Sequence, residues 1–133
     1  NAKKKILLID DDRDFLCATK LILEKGGYEV FLAEDGKTGV ETWKSVMPDL
    51  AIIDMMMETW GEGFSVLSKI RAMDEGKDTP LFMLSAVDLQ GPYGPHGSFE
   101  PPPEFPMVNA VLQKPVKAEE LLRYVAHELD RKK

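Results

Sequence analysis

Two four-residue apolar runs constrain this chain more than anything else in it. Ile6-Leu7-Leu8-Ile9 breaks off into Asp10-Asp11-Asp12, and Leu50-Ala51-Ile52-Ile53 breaks off into Asp54. Unbroken apolar runs of this length mark strands buried on both faces, which belong to parallel sheets covered by helices. Helical patterns lie between and after them. From Arg13 to Lys25, Phe15, Thr19, Ile22 and Leu23 recur at helical spacing, and Gly26-Gly27 supplies a stop. Glu29 to Ala33 is a second strand, and Asp35-Gly36 opens a helix with Val40, Trp43 and Met47 on one face until Pro48. Phe64, Leu67 and Ile70 mark a third helix, and Leu81 to Leu84 a strand that ends at Ser85. Ala110 to Gln113 is the fifth strand, followed by Lys114-Pro115 and a last helix with Leu121, Leu122, Val125 and Leu129 inward.

Five βα-like units in 133 residues predict one domain over residues 1–133, an α/β fold with a doubly wound five-stranded parallel sheet. The natural strand order at this size is 2-1-3-4-5, the flavodoxin-like arrangement. One unit breaks the pattern. Residues 91–106, where a fourth helix would join the last two strands, hold six of the nine prolines together with Gly91, Gly94 and Gly97. A regular helix is replaced or disrupted there, and an irregular insertion is expected.

Charge narrows the function classes. Lys and Arg total 17 against 23 Asp and Glu, a net charge of −6, so direct nucleic-acid binding by this segment is not expected. The single cysteine, Cys17, excludes an internal disulfide and reads as a small core residue. His96 and His127 lack ligand spacing. No long apolar span or signal sequence is evident, so no membrane partner and a cytoplasmic location are expected. The chain opens Asn1-Ala2 without an initiator Met, and a longer parent protein is therefore anticipated.

In a doubly wound sheet, ligands gather outside the carboxyl ends of the strands. Those ends carry Asp10, Asp11, Asp54, Ser85 and Lys114. Taken singly, each has a plain structural explanation: an acidic helix cap, a strand-end acid, a turn hydroxyl, a surface lysine. Taken together, three carboxylates converging on one shallow pocket require a cation, and all-oxygen donors favour Mg²⁺, or Mn²⁺, over softer metals. A carboxylate nucleophile, a hard divalent ion, an ammonium and a hydroxyl are the parts that phosphoryl transfer uses.

At these residues the sequence resembles the receiver domain of two-component response regulators. Ile6 to Asp12 is similar to the family's acid-pair strand end, Pro48 to Asp54 to its phosphoacceptor strand, and Leu84-Ser85-Ala86 and Lys114-Pro115 to its later signatures. The resemblance implies that Asp54 is the phosphoacceptor, Asp11 a direct metal ligand, Asp10 a ligand through water, and Met56 a ligand through its backbone carbonyl. It implies that Ser85 and Lys114 contact the phosphoryl group, with a cis peptide before Pro115, and that Asp12 caps the first helix. The implied partners are a histidine kinase or histidine phosphotransfer protein as donor, and an output domain or protein partner as recipient. The implied role is a phosphoprotein switch that catalyses only its own phosphorylation and dephosphorylation, not a dedicated enzyme.

The chain departs from the family pattern at three places. Glu58 stands where the family usually has Pro, and the following Gly is displaced to Gly63, so the loop holding Met56 is expected to be one residue longer. Val111 replaces the aromatic residue commonly found three positions before the lysine. The stretch from Val87 to Asn109 replaces the fourth helix, as a tolerated insertion or as a private docking surface. Two other functions fit parts of the pattern: a receiver-like interaction module that is not phosphorylated, and a Mg²⁺-dependent aspartyl-phosphate hydrolase built on Asp10 to Asp12. The hydrolase leaves Asp54 without a role.

Overall fold

The computed structural model describes residues 3–55, 62–85 and 108–131. In chain order these form β1 (Lys5–Ile9), α1 (Arg13–Lys25), β2 (Glu29–Ala33), α2 (Gly36–Val46), β3 (Leu50–Asp54) and α3 (Glu62–Ala72). A short 3₁₀ turn (Asp74–Gly76), β4 (Leu81–Ser85), β5 (Ala110–Gln113) and α4 (Ala118–Arg131) complete them. The sheet has the order β2-β1-β3-β4-β5, and every adjacent pair is parallel. The expected Pro/Gly-rich replacement of a helix, residues 91–106, lies outside the described residues, as do Met56, Glu58 and His96.

The strands alternate between two cores. Ile6, Leu8, Leu50, Ile52, Phe82, Leu84 and Leu112 face one side, where α1 and α4 cover them with Leu16, Leu23, Leu121, Tyr124 and Val125. Leu7, Ile9, Ala51, Ile53, Leu81 and Met83 face the other, under Trp43 of α2 and Val66, Leu67 and Ile70 of α3. This two-sided burial is why the strands are unbroken apolar runs, each fully buried Leu or Ile contributing about 1.5–3 kcal/mol.

Helix boundaries follow local chemistry. Asp12 caps α1, its Oδ1 accepting from the Phe15 N–H at 3.1 Å, and Asp35 caps α2, accepting from the Thr38 N–H at 2.7 Å. The Asp35 carboxyl is held below its ordinary range chiefly by that backbone N–H. At the far end of α1, Gly27 takes a φ of 97° that side chains disfavour.

Two packing expectations are corrected. Met47 does not extend the inner face of α2; it takes a left-handed conformation (φ 52°, ψ 64°) as the C-cap and is 44% exposed. Pro48 ends the helix there, so helical periodicity no longer applies to Met47. Cys17 is exposed, because the buried stripe of α1 runs through Leu16, Thr19 and Leu23 instead.

At the amino-terminal edge of β4 and β5 a polar network joins these two strands to α3 and α4. Arg71 donates from Nη1 to the carbonyls of Gly76 and Thr79, each at 2.7 Å, and from Nη2 to Asn109 Oδ1 at 3.2 Å. Asn109 Oδ1 also accepts from the Leu81 N–H at 2.9 Å, and its Nδ2 donates to the buried Glu128 of α4 at 3.4 Å. Burial pushes the Arg71 guanidinium below its ordinary pKa, with the charge of Asp78 acting the other way.

Candidate functional site

The parallel register assembles the site. Ile9 pairs with Ile53, so Asp10 and Asp54 leave the sheet side by side from adjacent strands. The Asp10 N–H donates to the Ala33 carbonyl at 3.1 Å and the Met55 N–H to the Leu84 carbonyl at 2.8 Å, so both chain exits are fixed by neighbouring strands. Asp10 and Asp54 are almost wholly buried, whereas Asp11 is exposed. One carboxylate oxygen from each of the three lies within 4.8 Å of the others.

Lys114 enters from the opposite side. Ser85 pairs with Gln113, and the Lys114 N–H donates to the Ser85 carbonyl at 2.8 Å, which places the lysine just past the end of β5. Its Nζ donates to Asp10 Oδ2 at 2.7 Å and stands 3.7 Å from Asp54 Oδ1. The other Asp10 oxygen accepts from the Asp12 N–H at 2.9 Å. The peptide bond from Lys114 to Pro115 is cis, and Ser85 is buried at the end of β4. Asp10, Asp11, Asp54, Ser85 and Lys114 thus come together at one end of the sheet, as the sequence predicts.

Three residues here were not assigned to the site from the sequence. Gly63 of α3 packs so closely on the end of β3 that a Cβ would overlap the Asp54 carbonyl oxygen and come 2.9 Å from the Met55 Cα. The Ala33 carbonyl orders the start of the acidic turn. Phe15 places its ring centroid 4.5 Å from the Lys114 ammonium. The displaced glycine was the only one of the three with a sequence signal; the others depend on contacts between separate elements.

Among the described residues, three carboxylates stand against one ammonium, which leaves surplus negative charge in partly buried surroundings. The donors are all hard oxygens, converge on one point and have one member open to solvent, which fits a small divalent cation that keeps part of its water. A separate hollow of about 400 Å³ beside α1 and β2, lined in part by Arg13, Leu16, Cys17 and Leu32, contains none of these acids. Arg13 and Glu34 on its rim pair at 2.8 Å, which raises the Arg13 pKa through the hydrogen bond and the charge.

Residues 6–91 match the response regulator receiver domain family. The chain belongs to that family. The receiver domain is 35% identical over 83 residues to the DNA-binding dual master transcriptional regulator RpaA of Synechocystis, covering 62% of this chain and 34% of that protein. It is 32% identical over 85 residues to the alkaline phosphatase synthesis transcriptional regulatory protein PhoP of Bacillus subtilis, covering 64% and 34%. The receiver domain thus spans about a third of the length of these curated relatives.

Among solved structures, it resembles a CheY-like receiver domain from Methanospirillum hungatei, with a TM-score of 0.79 at 26% identity over 98% of this chain and 96% of that one. It also resembles the receiver domain of a Pseudomonas aeruginosa sensor histidine kinase, solved with a magnesium ion coordinated in its active-site cleft. That match has a TM-score of 0.80 at 27% identity over 97% and 99% of the two chains. Among the described residues of the receiver domain, no helix is long and apolar enough to cross a membrane.

Proposed function

We propose that Asp54 is the phosphoacceptor of this receiver domain and that its acyl phosphate is the switch signal. The observation carrying this is the convergence of Asp10, Asp11 and Asp54 within 4.8 Å, with the Lys114 ammonium 3.7 Å from Asp54. In the transfer, an Asp54 carboxylate oxygen attacks phosphorus in line as the bond from phosphorus to the donor breaks. With a phosphohistidine donor, the electron pair returns to the imidazole nitrogen, which takes a proton from solvent. In the later hydrolytic step, water attacks the same phosphorus and gives up a proton to solvent, the bond from phosphorus to Asp54 breaks with Asp54 leaving as the carboxylate, and inorganic phosphate is released.

Lys114 supplies positive charge beside the nucleophile and the transferred group. Buried Ser85 offers a hydroxyl from the end of the adjacent strand. Asp11, exposed at the mouth, and Asp54 would hold Mg²⁺ directly. Asp10 would act through water, since one of its oxygens faces the Asp12 N–H and the other Lys114. Bound there, Mg²⁺ would offset negative charge on the phosphoryl oxygens. A histidine kinase or histidine phosphotransfer protein is the proposed donor, and an output domain or protein partner the proposed recipient. A hydrolase centred on Asp10 to Asp12 gives no role to Asp54, which is one of the three clustered acids.

Intact mass after incubation with acetyl phosphate and Mg²⁺ tests the proposal. One phosphoryl adduct is expected, lost in Asp54→Asn and in chelator. An adduct that persists in Asp54→Asn overturns the assignment of the acceptor. No adduct in the unaltered chain, together with no binding of beryllofluoride, favours an interaction module that is not phosphorylated.

A further inference from the structure

We propose that Phe15 is a positioning residue for phosphoryl transfer, its ring holding the Lys114 ammonium in the site; this rests on the role given to Lys114 above. Lysine carries its charge on a flexible four-carbon stem, and a single ion pair leaves that stem much of its rotational freedom. Here Nζ has two attachments of different kinds: Asp10 Oδ2 at 2.7 Å and the face of Phe15, whose centroid is 4.5 Å away. The second lies within the range over which an aromatic quadrupole attracts a cation, and the Lys114 side chain is only 20% exposed, so water weakens it little. Together the two hold the ammonium 3.7 Å from Asp54.

The position of the ring is itself determined. The Phe15 N–H is the group that the Asp12 cap binds, so the residue that starts α1 also fixes where Phe15 leaves the helix. Its side chain packs against the core under α1 and α4. Charge stabilisation is effective when the charge is in place before the transferred group arrives. An aliphatic side chain at position 15 would keep the packing and lose the attraction.

The test separates these two properties of the ring in the full chain. Phe15 is replaced by mono-, di- and trifluorophenylalanine, which progressively weaken the quadrupole at nearly constant shape, and by Leu and Tyr. The rate of adduct formation with acetyl phosphate at saturating Mg²⁺ is expected to fall stepwise along the fluorinated series. It should reach about three- to tenfold in the trifluoro variant and in Phe15→Leu, and be retained in Phe15→Tyr. Thermal midpoint and Mg²⁺ affinity are expected to stay constant across the fluorinated series.

In parallel, the Lys114 ε-methylene protons should show an upfield ring-current shift that shrinks along the same series, a readout needing no phosphoryl transfer. A flat rate across the series, or a Lys114 resonance without the ring-current shift, overturns the proposal. If the unaltered chain forms no adduct but the shifted resonance responds to fluorination, the positioning of Lys114 stands and the phosphoryl-transfer assignment fails.

Discussion

The two ends of the sheet both carry buried polar clusters, and they are built on opposite terms. At the amino-terminal edge, the Arg71 guanidinium meets three backbone carbonyls, those of Gly76, Lys77 and Thr79, and the Asn109 amide, which in turn reaches Glu128. Donors and acceptors match, and the cluster ties α3, β4, β5 and α4 together. At the carboxyl end, three carboxylates converge and one ammonium pairs with two of them, Asp10 and Asp54. That end is left in need of positive charge, which a stability-driven fold would avoid and a site for a cation and a phosphoryl group requires. Stability and chemistry are thus separated along the same strands.

The sharpest way to break this contrast is Lys114→Met. It removes the cation that pairs with Asp10 and Asp54, and phosphoryl transfer is expected to fall by about 100-fold or more, read by adduct formation. Urea denaturation should show a loss of about 2–3 kcal/mol, because a largely buried carboxylate loses its partner. Mg²⁺ at a hundred times its dissociation constant should return about 2.7 kcal/mol without restoring the rate.

Gly63→Ala comes next: its methyl group would overlap the Asp54 carbonyl, costing about 1–3 kcal/mol and lowering the transfer rate together with stability. Arg71→Met should separate the two quantities. A loss of about 2 kcal/mol in denaturant is expected, since several carbonyls and Asn109 lose a charged donor, with the transfer rate of the folded protein within about twofold of normal. A matched drop in rate would show that the two ends are coupled.

The smallest effect concerns pH. Asp35 is held below the ordinary carboxylate range, so its cap stabilises the fold above the unfolded-state pKa and is lost as pH falls through the folded value. Thermal melts of Asp35→Ala should lie below the unaltered chain at neutral pH, and the gap should close as acid protonates the cap.

The carboxyl end was the more legible of the two. Strand-end acids and the lysine occupy positions that any parallel βα sheet brings together, so Asp10, Asp11, Asp54, Ser85 and Lys114 could be placed from apolar runs alone. The strand order and the limits of α1, β2 and β5 were legible for the same reason. Arg71, Asn109 and Glu128 were not, because their partners lie 38 and 19 residues apart and no local pattern marks them. Met47 was misplaced by running the apolar pattern of the helix right up to the proline, one residue beyond its last turn, and Cys17 by letting apolar character stand in for the facing of the helix. Phe15 was legible only as part of the helical spacing of α1; the cation over its face comes from Lys114, at the far end of the chain.

β5 has a consequence for how this chain tolerates change. It is only four residues long, about 13 Å, held by Asn109 immediately before it and carrying Lys114 immediately after it. Asn109 acts as a molecular datum: anchored to Arg71 and to the start of β4, it sets anew the distance from there to the ammonium. A change in the number of residues between β4 and Val108 is therefore expected to leave Lys114 where it is. One residue added between Asn109 and Lys114 would turn the lysine to the other side of the sheet, so that short stretch is intolerant of any change in length.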